Sequence, residues 1–341
     1  MEVMDFNFKS YKKSIISFEQ IIEYILILEN DCLCIGFDNY EINIYFPPDF
    51  TPKINIKYNN IQNKKDKYNI FIMEISNNQL LTLYNQNVLY IREIDYKNYS
   101  YKDIKIIDKF NYCYLRKSIN KNNIYGIADN HITYFEIFNE AKSVLKLNDF
   151  HIDSFYEIPS KKYKQIVLKV EEPSLIYFFD RIKYKCINNN SIFNYEMALD
   201  LRYNRPIDSC PFIYYEKENL LGIFLIDDLI DFIDIKTHLV VYKYRHFSTS
   251  IPSIVYAHKL NNGKYFIVEY LSACFNEYTS FYLANLTPKN IDYDSFINEI
   301  NRLDILENIN IIFARFNNSM KFLFLQERYG TEIILYSKIA L

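Results

Sequence analysis

Residues 70–107 read IFIMEIS-NNQ-LLTLY-NQN-VLYIREI-DYKNYS-YKDIKII, and the reading of this stretch decides the fold. Its β-branched and aromatic residues come in runs of five to seven, each bounded by Asn, Gln, Asp or Ser. Short runs between polar breaks read as strands, because a helix would repeat its apolar positions every three to four residues. The break Asn85-Gln86-Asn87 suits a tight hairpin, since Asn accepts the left-handed backbone that such turns need. The stretch therefore reads as an antiparallel meander of three strands and a fourth, outer one.

The same pattern extends in both directions. A first set is expected over 21–30, 31–38 and 41–46, with its turn at Asn39-Tyr40. Later sets are expected over 112–119, 124–128 and 131–138 (turn Asp129-Asn130), and over 152–158, 165–170 and 174–180 (turn Glu171-Glu172-Pro173). Then come 211–217, 220–226 and 229–235 (turn Asp227-Asp228), and 251–260, 264–271 and 279–286, with a longer turn near Asn276-Glu277. The last set is 310–316, 321–327 and 332–339, turning at Tyr329-Gly330. An aromatic recurs in each third strand: Tyr45, Tyr90, Tyr134, Tyr177, Phe232, Tyr282 and Tyr336, in steps of 45, 44, 43, 55, 50 and 54 residues. Outer strands are expected at 53–57, 101–107, 143–147, 183–187 and 239–246.

Seven units at this period are what a β-propeller requires. The expected fold is all-β: one seven-bladed propeller domain over 1–341, with units about 19–60, 61–110, 111–150, 151–208, 209–248, 249–308 and 309–341. The seventh unit has three strands, and residues 1–18 carry strand character without a unit of their own. We expect that N-terminal strand to complete the last blade and close the ring, removing exposed edges. Residues 188–208 and 294–308 read as insertions. The second has Phe296, Ile300, Leu303 and Leu306 near helical spacing behind Asp294 as an N-cap; an outer strand is the competing reading.

Composition narrows the function. Half of the 341 residues are hydrophobic and mean hydropathy is −0.17, which excludes a disordered chain. There are five glycines, no two closer than 41 residues, so a Rossmann fingerprint, a P-loop and a nucleophile elbow are all excluded. Asn and Asp are expected to take the turn positions instead. Net charge is −3, which gives no global attraction to nucleic acid. Six scattered cysteines, only Cys32 and Cys34 close together, read as buried thiols in a reducing compartment. Met1 to Asp5 shows no signal-peptide head, and the apolar stretch 14–28 is interrupted by Glu19 and Glu23. The expected setting is intracellular, cytoplasmic or nuclear, without a membrane.

The fifth and sixth units carry a family resemblance. Phe232-Ile233-Asp234-Ile235-Lys236-Thr237, then Leu239-Val240-Val241, Arg245-His246, Ile254 to Tyr256 and Asn262-Gly263-Lys264-Tyr265-Phe266 resemble a WD40 repeat. Asp234 falls on the Asp of the family's Trp-Asp pair, Ile233 on its Trp, and His246 on the His of its Gly-His; Phe179-Asp180 is a fainter match. The chain departs from the family in having no Trp at all, and Arg245 stands where the Gly would be. The resemblance implies a rigid disc that holds protein partners on its top face and rim, without catalysis.

No local constellation marks chemistry. The histidines, His131, His151, His238, His246 and His258, are never closer than eight residues, and no metal-ligand spacing occurs. Asp227, Asp228, Asp231 and Asp234 read as a turn and a strand rather than as paired catalytic carboxylates. Tyr96 to Lys102 interleaves Tyr with Lys, but in a chain with 33 tyrosines it reads as an outer strand and its loop. No catalytic residue, cofactor or metal is expected. The expected partners are other proteins, within a multi-subunit complex, and not nucleic acid. The residues that suit hot spots on the top-face turns are Tyr40, His131, Tyr278, Arg328 and Tyr329. Two other classes remain open: a propeller hydrolase or lyase with its site at the channel mouth, and a structural subunit of a large assembly.

Overall fold

The computed structural model describes residues 11–58, 70–86, 88–108, 110, 112, 114–119, 123–128, 131–136, 141–146, 152–160, 162–170, 175–180, 212–224, 229–245, 252–259, 265–273, 276–284, 301–303, 311–317, 319, 321–327 and 330–338. Every strand among them pairs antiparallel, all but the first within sheets of strands consecutive in the chain and the first with the last, and no helix occurs among these residues. The first sheet holds β2 (Ile22–Ile27), β3 (Leu33–Phe37), β4 (Ile42–Phe46) and β5 (Thr51–Ile56). The second holds β6 (Ile70–Ser76), β7 (Gln79–Tyr84), β8 (Val88–Asp95) and β9 (Ser100–Ile107). The third holds β10 (Tyr114–Lys117), β11 (Asn123–Ala128), β12 (His131–Glu136) and β13 (Ala141–Lys146). The fourth has three strands, β14 (Ile152–Glu157), β15 (Gln165–Val170) and β16 (Leu175–Asp180).

The fifth sheet holds β17 (Phe212–Tyr215), β18 (Leu220–Phe224), β19 (Leu229–Asp234) and β20 (Val240–Arg245). The sixth holds β21 (Pro252–Lys259), β22 (Tyr265–Ala273), β23 (Asn276–Ala284) and β24 (Asn301–Leu303). The seventh holds β25 (Ile311–Phe316), β26 (Phe322–Glu327) and β27 (Glu332–Lys338), and is completed by β1 (Tyr11–Ser17) at its edge. By contacts the chain forms two compact units: β2 to β16 make one, β1 and β17 to β27 the other.

The all-β architecture agrees with the sequence pattern, and all seven spaced aromatics lie in third strands. Tyr45, Tyr90, Tyr134, Tyr177, Phe232, Tyr282 and Tyr336 stand opposite Leu33, Thr82, Tyr125, Leu168, Gly222, Ile267 and Leu323 of the second strands. Residue 11–17 pairing with 338–332 puts N-terminal chain beside the last strand, as expected for a strand that completes the final sheet. Two local expectations are corrected. Asn276 and Glu277 open β23 instead of forming a turn, because the β22–β23 ladder runs to Ala273↔Asn276. Within 294–308, residues 301–303 form β24 on the edge of β23, which is the competing outer-strand reading and not the helical one; the rest of the stretch lies outside the described residues. An open sheet edge offers hydrogen bonds that an isolated helical spacing does not anticipate. The outer strand expected at 183–187 and the insertion at 188–208 lie outside the described residues.

A further regularity separates the strands by position. Pairing between second and third strands is unbroken in every sheet, from β3–β4 to β26–β27. Bulges fall on the flanking strands instead. First strands carry an extra residue at Glu23, Ile75, Asp153, Val255 and Ile312. Outer strands carry one at Lys53, Ile104, Lys142 and Val241. A bulge sharpens local twist, so a short meander with two of them is bent strongly about a straight middle.

In the first unit, β2 to β16, successive sheets pack by their apolar faces. Tyr24 meets Phe71 at 5.5 Å and Tyr125 meets Phe155 at 4.7 Å between ring centroids. Around the second pair, Ile127, Ile132, Ile152, Ile166, Leu168 and Phe179 are all buried. Two buried carboxylates repeat one clasp. Glu74 of β6 accepts the backbone N–H of Glu29 in the β2–β3 turn at 2.7 Å, and Glu157 at the end of β14 accepts that of Ile119 after β10 at 2.8 Å. In each case a carboxylate on the first strand of one sheet accepts a turn amide of the sheet before it, a charge-assisted hydrogen bond between the two sheets.

Three of the five glycines lie inside strands. Gly36, Gly126 and Gly222 lie in the second strands β3, β11 and β18, where a Cβ would be tightly placed, most so at Gly126. Left-handed backbone falls instead on Asp31, Tyr40, Phe50, Asn85, Gln86, Tyr99, Asn219 and His238. The expected use of Asn and Asp is met at Asp31, Asn85 and Asn219, while bulkier residues take the remaining positions. Gly126 is the tightest site: a Cβ there would stand 2.8 Å from Tyr112 and 2.9 Å from Phe135. The Tyr112 ring cannot slide away, because its hydroxyl donates to Thr133 at 2.8 Å. Gly126→Ala is therefore expected to cost about 1–3 kcal/mol as over-packing. Gly36→Ala meets only Ile methyl ends at 3.2 Å and should cost less. Thermal midpoints of the two variants give the order, and equal midpoints would refute the close-approach account.

Candidate interaction surface

The turns between second and third strands are where partner contacts were expected. In the first two sheets these turns are tied to one another. Tyr40 adopts φ 66° in the β3–β4 turn, which swings its ring toward the second sheet. There its hydroxyl accepts from the side-chain amide of Asn85 in the β7–β8 turn. Its ring meets Tyr58 at 5.6 Å and Tyr84 at 5.9 Å, and Tyr58 stacks on Tyr84 at 4.6 Å and 23°. Tyr40 is 3% exposed. The exposure expected of it is thus not found, because its left-handed backbone sends the ring inward. Tyr58, half-buried just after β5, and the exposed Ile21 before β2 are apolar groups that this end presents to solvent.

Below that cluster lies a buried arginine that sequence reading missed. Arg92 of β8 is 1% exposed. Its Nε meets Asp103 of β9 at 2.8 Å, and one terminal nitrogen donates to Thr82 and, at 3.3 Å, to Tyr84, both of β7. The guanidinium lies 4.3 Å from the Tyr90 ring centroid, 5.5 Å from Tyr84 and 6.0 Å from Tyr101. Alternation puts Thr82, Tyr84, Tyr90, Arg92, Tyr101 and Asp103 on one face of three strands, so a single cation binds them together. The signal available in the sequence was the charge in the otherwise apolar run VLYIREI.

In the third sheet, His131 opens β12 opposite Ala128 and Lys146, half-buried, with its ring edge-to-face on Tyr112 at 5.6 Å. Full solvent exposure in a turn was expected; the ladder draws it partly in. Phe110 and Phe135 complete this patch, at 4.7 Å and 5.4 Å from Tyr112. Tyr278 lies within β23 opposite Leu271 rather than at a turn. Arg328 and Tyr329 lie outside the described residues.

The remaining candidates sort by environment. Asp231 is 1% exposed, whereas Asp234 ends β19 and its carboxylate accepts from Lys236 N–H at 2.9 Å, Thr237 N–H at 2.7 Å and the Thr237 hydroxyl at 3.0 Å. These two carboxylates therefore do not act as a pair. Asp234, on the family-like position, shapes the β19–β20 turn, and Ile233 beside it is fully buried; His246 is outside the described residues. Cys32 and Cys34 are free and buried, and burial pushes both thiols up, Cys32 to about 12. Such thiols stay protonated and unreactive. Within 96–102, Phe46 packs on Tyr96 and Tyr99 at 6.1 Å and 5.2 Å, so those rings support the first sheet's edge. Among the described residues no group of three or more His, Cys, Asp or Glu is placed to hold a metal ion. No helix among them is long and apolar enough to cross a membrane.

No protein-family model matches the chain, and no curated protein matches it. Among solved structures it is similar to a chain in a crystal structure of the mitotic checkpoint complex. The likeness has a TM-score of 0.62 at 9% identity and covers 99% of this chain and 94% of that one. At that identity the likeness concerns the fold.

Two predictions follow from this geometry. Removing half-exposed Asp103 leaves a guanidinium buried without its anion, whereas Arg92→Met leaves a carboxylate that water can reach. Asp103→Ala is therefore expected to cost about 2–4 kcal/mol and more than Arg92→Met, with the double variant close to Arg92→Met alone. Urea midpoints of the three variants decide, and the reverse order would sink the account. His238, 6% exposed, donates its backbone N–H to Asp234 O at 2.7 Å, and burial lowers its imidazole pKa against the opposing pull of Asp234. The fold thus prefers the neutral ring. Its stability is full above the unfolded value of about 6.5 and falls as pH drops through it toward the lower folded value. His238→Asn keeps a residue that tolerates the left-handed backbone. Its thermal midpoint should fall less than that of the parent between pH 7 and pH 5.5; equal falls would exclude the histidine.

Proposed function

We propose that the chain is a non-catalytic protein-interaction scaffold: a WD40-like seven-bladed propeller over residues 1–341, its ring closed by β1 on the last sheet. The observation that carries this reading is the run of small antiparallel meanders along the chain, together with a fold likeness spanning nearly all of it to a chain of a multi-protein complex. Rigid meanders with tied turns hold loop side chains at fixed positions, so binding costs little ordering entropy. The end formed by the turns between second and third strands is the proposed contact face. Tyr58, Ile21 and His131 offer apolar and aromatic contact there, Tyr40 and Arg92 stiffen it from beneath, and Arg328 and Tyr329 are proposed contacts of the seventh unit. Tyr278 is a proposed contact of the sixth. The proposed setting is the cytoplasm or nucleus, within a multi-subunit complex.

The test is gentle cross-linking of the tagged chain in its native cell, followed by purification and mass spectrometry. A reproducible, stoichiometric set of partners is expected, reduced when Ile21 and Tyr58 are both replaced by Ser. Recovery of the chain alone, at monomer size, would overturn the scaffold reading.

A further inference from the structure

The face of the second sheet that carries Arg92 continues outward to solvent. Ile106 of β9 stands opposite Tyr90, so Ile106 and, two residues on, Asp108 fall on the same face as Tyr90 and Arg92. Ile106 is 51% exposed, and Asp108 is exposed as well. Tyr58, just after β5 of the first sheet, lies against this face, stacked on Tyr84 at 4.6 Å and edge-to-face with Tyr90 at 5.8 Å. It is half-buried, so part of its ring meets water. Burial raises the Tyr58 and Tyr90 hydroxyls, and the Asp108 charge raises both further, so the field of that carboxylate reaches both rings.

Charge says what this surface suits. Arg92 and Asp103 neutralise one another at 2.8 Å. Among the described residues no cation is paired with Asp108. Asp108 therefore sets the charge of the face: an exposed anion beside an aromatic ring and an exposed aliphatic chain. The interior of the same face shows what such a set holds. There Tyr90 and Tyr84 lie 4.3 Å and 5.5 Å from a guanidinium, and Asp103 accepts from its Nε. Tyr58 and Asp108 repeat that pairing of ring and carboxylate at the surface. A guanidinium satisfies both groups at once, because it is planar enough to lie on a ring and carries N–H donors at its rim. An ammonium can meet the carboxylate but has no plane to stack.

We propose that Tyr58 and Asp108 receive an arginine side chain of a partner protein, its guanidinium against the Tyr58 ring and donating to the Asp108 carboxylate, its stem beside Ile106. The proposal rests on the scaffold reading and names the chemistry of one contact on the proposed face.

The probe is a fluorescent nine-residue peptide, three repeats of Gly-Ser-Arg, titrated into the full chain at low salt. Beside it run the same peptides with lysine or citrulline in place of arginine. We expect the arginine peptide to bind tightest, and to bind about tenfold more weakly to Asp108→Asn. Glu93 is exposed next to Arg92 on β8, hence on the opposite face, so Glu93→Gln removes an equal charge and should leave binding unchanged. Tyr58→Leu should abolish the preference for arginine over lysine. Thermal unfolding checks that each variant folds. Three results would overturn the proposal: no binding by the arginine peptide, equal binding by the lysine peptide, or equal losses in Asp108→Asn and Glu93→Gln. Binding that appears only after Lys64, Lys65 and Lys67 are replaced by Ser would overturn it too, since the chain's own segment is then the occupant. So would self-association of the chain that Asp108→Asn abolishes, which makes a second copy the occupant. The scaffold reading is separately exposed. If cellular partners co-purify equally with Asp108→Asn, the scaffold stands and this contact falls; if nothing co-purifies with the parent, the scaffold falls whatever the peptide does.

Discussion

A sheet of four strands, each about six residues long, cannot bury both of its faces by itself. Everything else in the described structure answers that constraint. Neighbouring sheets cover one another with Tyr24 on Phe71 and Tyr125 on Phe155. The close approach favours glycine in the middle of second strands, as at Gly36, where a Cβ would come within 3.2 Å of Ile70 and Ile72 of the next sheet. Carboxylates cross the same gaps: Glu74 and Glu157 each reach back from one sheet to a turn amide of the sheet before it. Apolar packing and the carboxylate clasps thus join the same pairs of sheets.

The second sheet shows how polar groups enter such an interior. Arg92 is buried, yet nearly every direction around it is filled by a partner of matching character: a carboxylate, two hydroxyls and three aromatic faces. That spread of partners across β7, β8 and β9 makes the network a cross-tie as well as a salt bridge. The fifth sheet uses a different device at its corner, the Asp234 carboxylate closing the turn toward Thr237. Sheets with a shared meander thus brace themselves by unrelated chemistry, consistent with the weak motif content of the chain.

The strands were legible because their signal is local: β-branched runs, polar breaks and an aromatic at a recurring step. Residues 70–76 and 165–170 read as strands with the bounds the structure gives them. Bulges were not legible, since a bulge is a relation between two strands and leaves no mark on either alone. Tyr40 was misread for a related reason. Its turn position suggested exposure, and only the three-dimensional path, with φ at 66°, sends the ring into the neighbouring sheet. In 294–308 the sequence offered both a helical spacing and an outer strand, and the pairing of 301–303 with β23 decides for the strand there.

The pairing of β1 with β27 joins residues 315 to 327 apart in sequence, from Ser17 with Glu332 to Tyr11 with Lys338. At ribosomal speeds of about 5–20 residues per second, β1 leaves the ribosome on the order of tens of seconds before its partner exists. During that interval it is an unpaired strand beside a growing chain of other unpaired strands. Its composition fits the wait: Lys12, Lys13 and Ser14 keep it solvated, and Ile15 and Ile16 are held in reserve for the ladder. The last sheet is thus completed by the oldest segment of the chain, and its assembly is timed by translation as much as by packing.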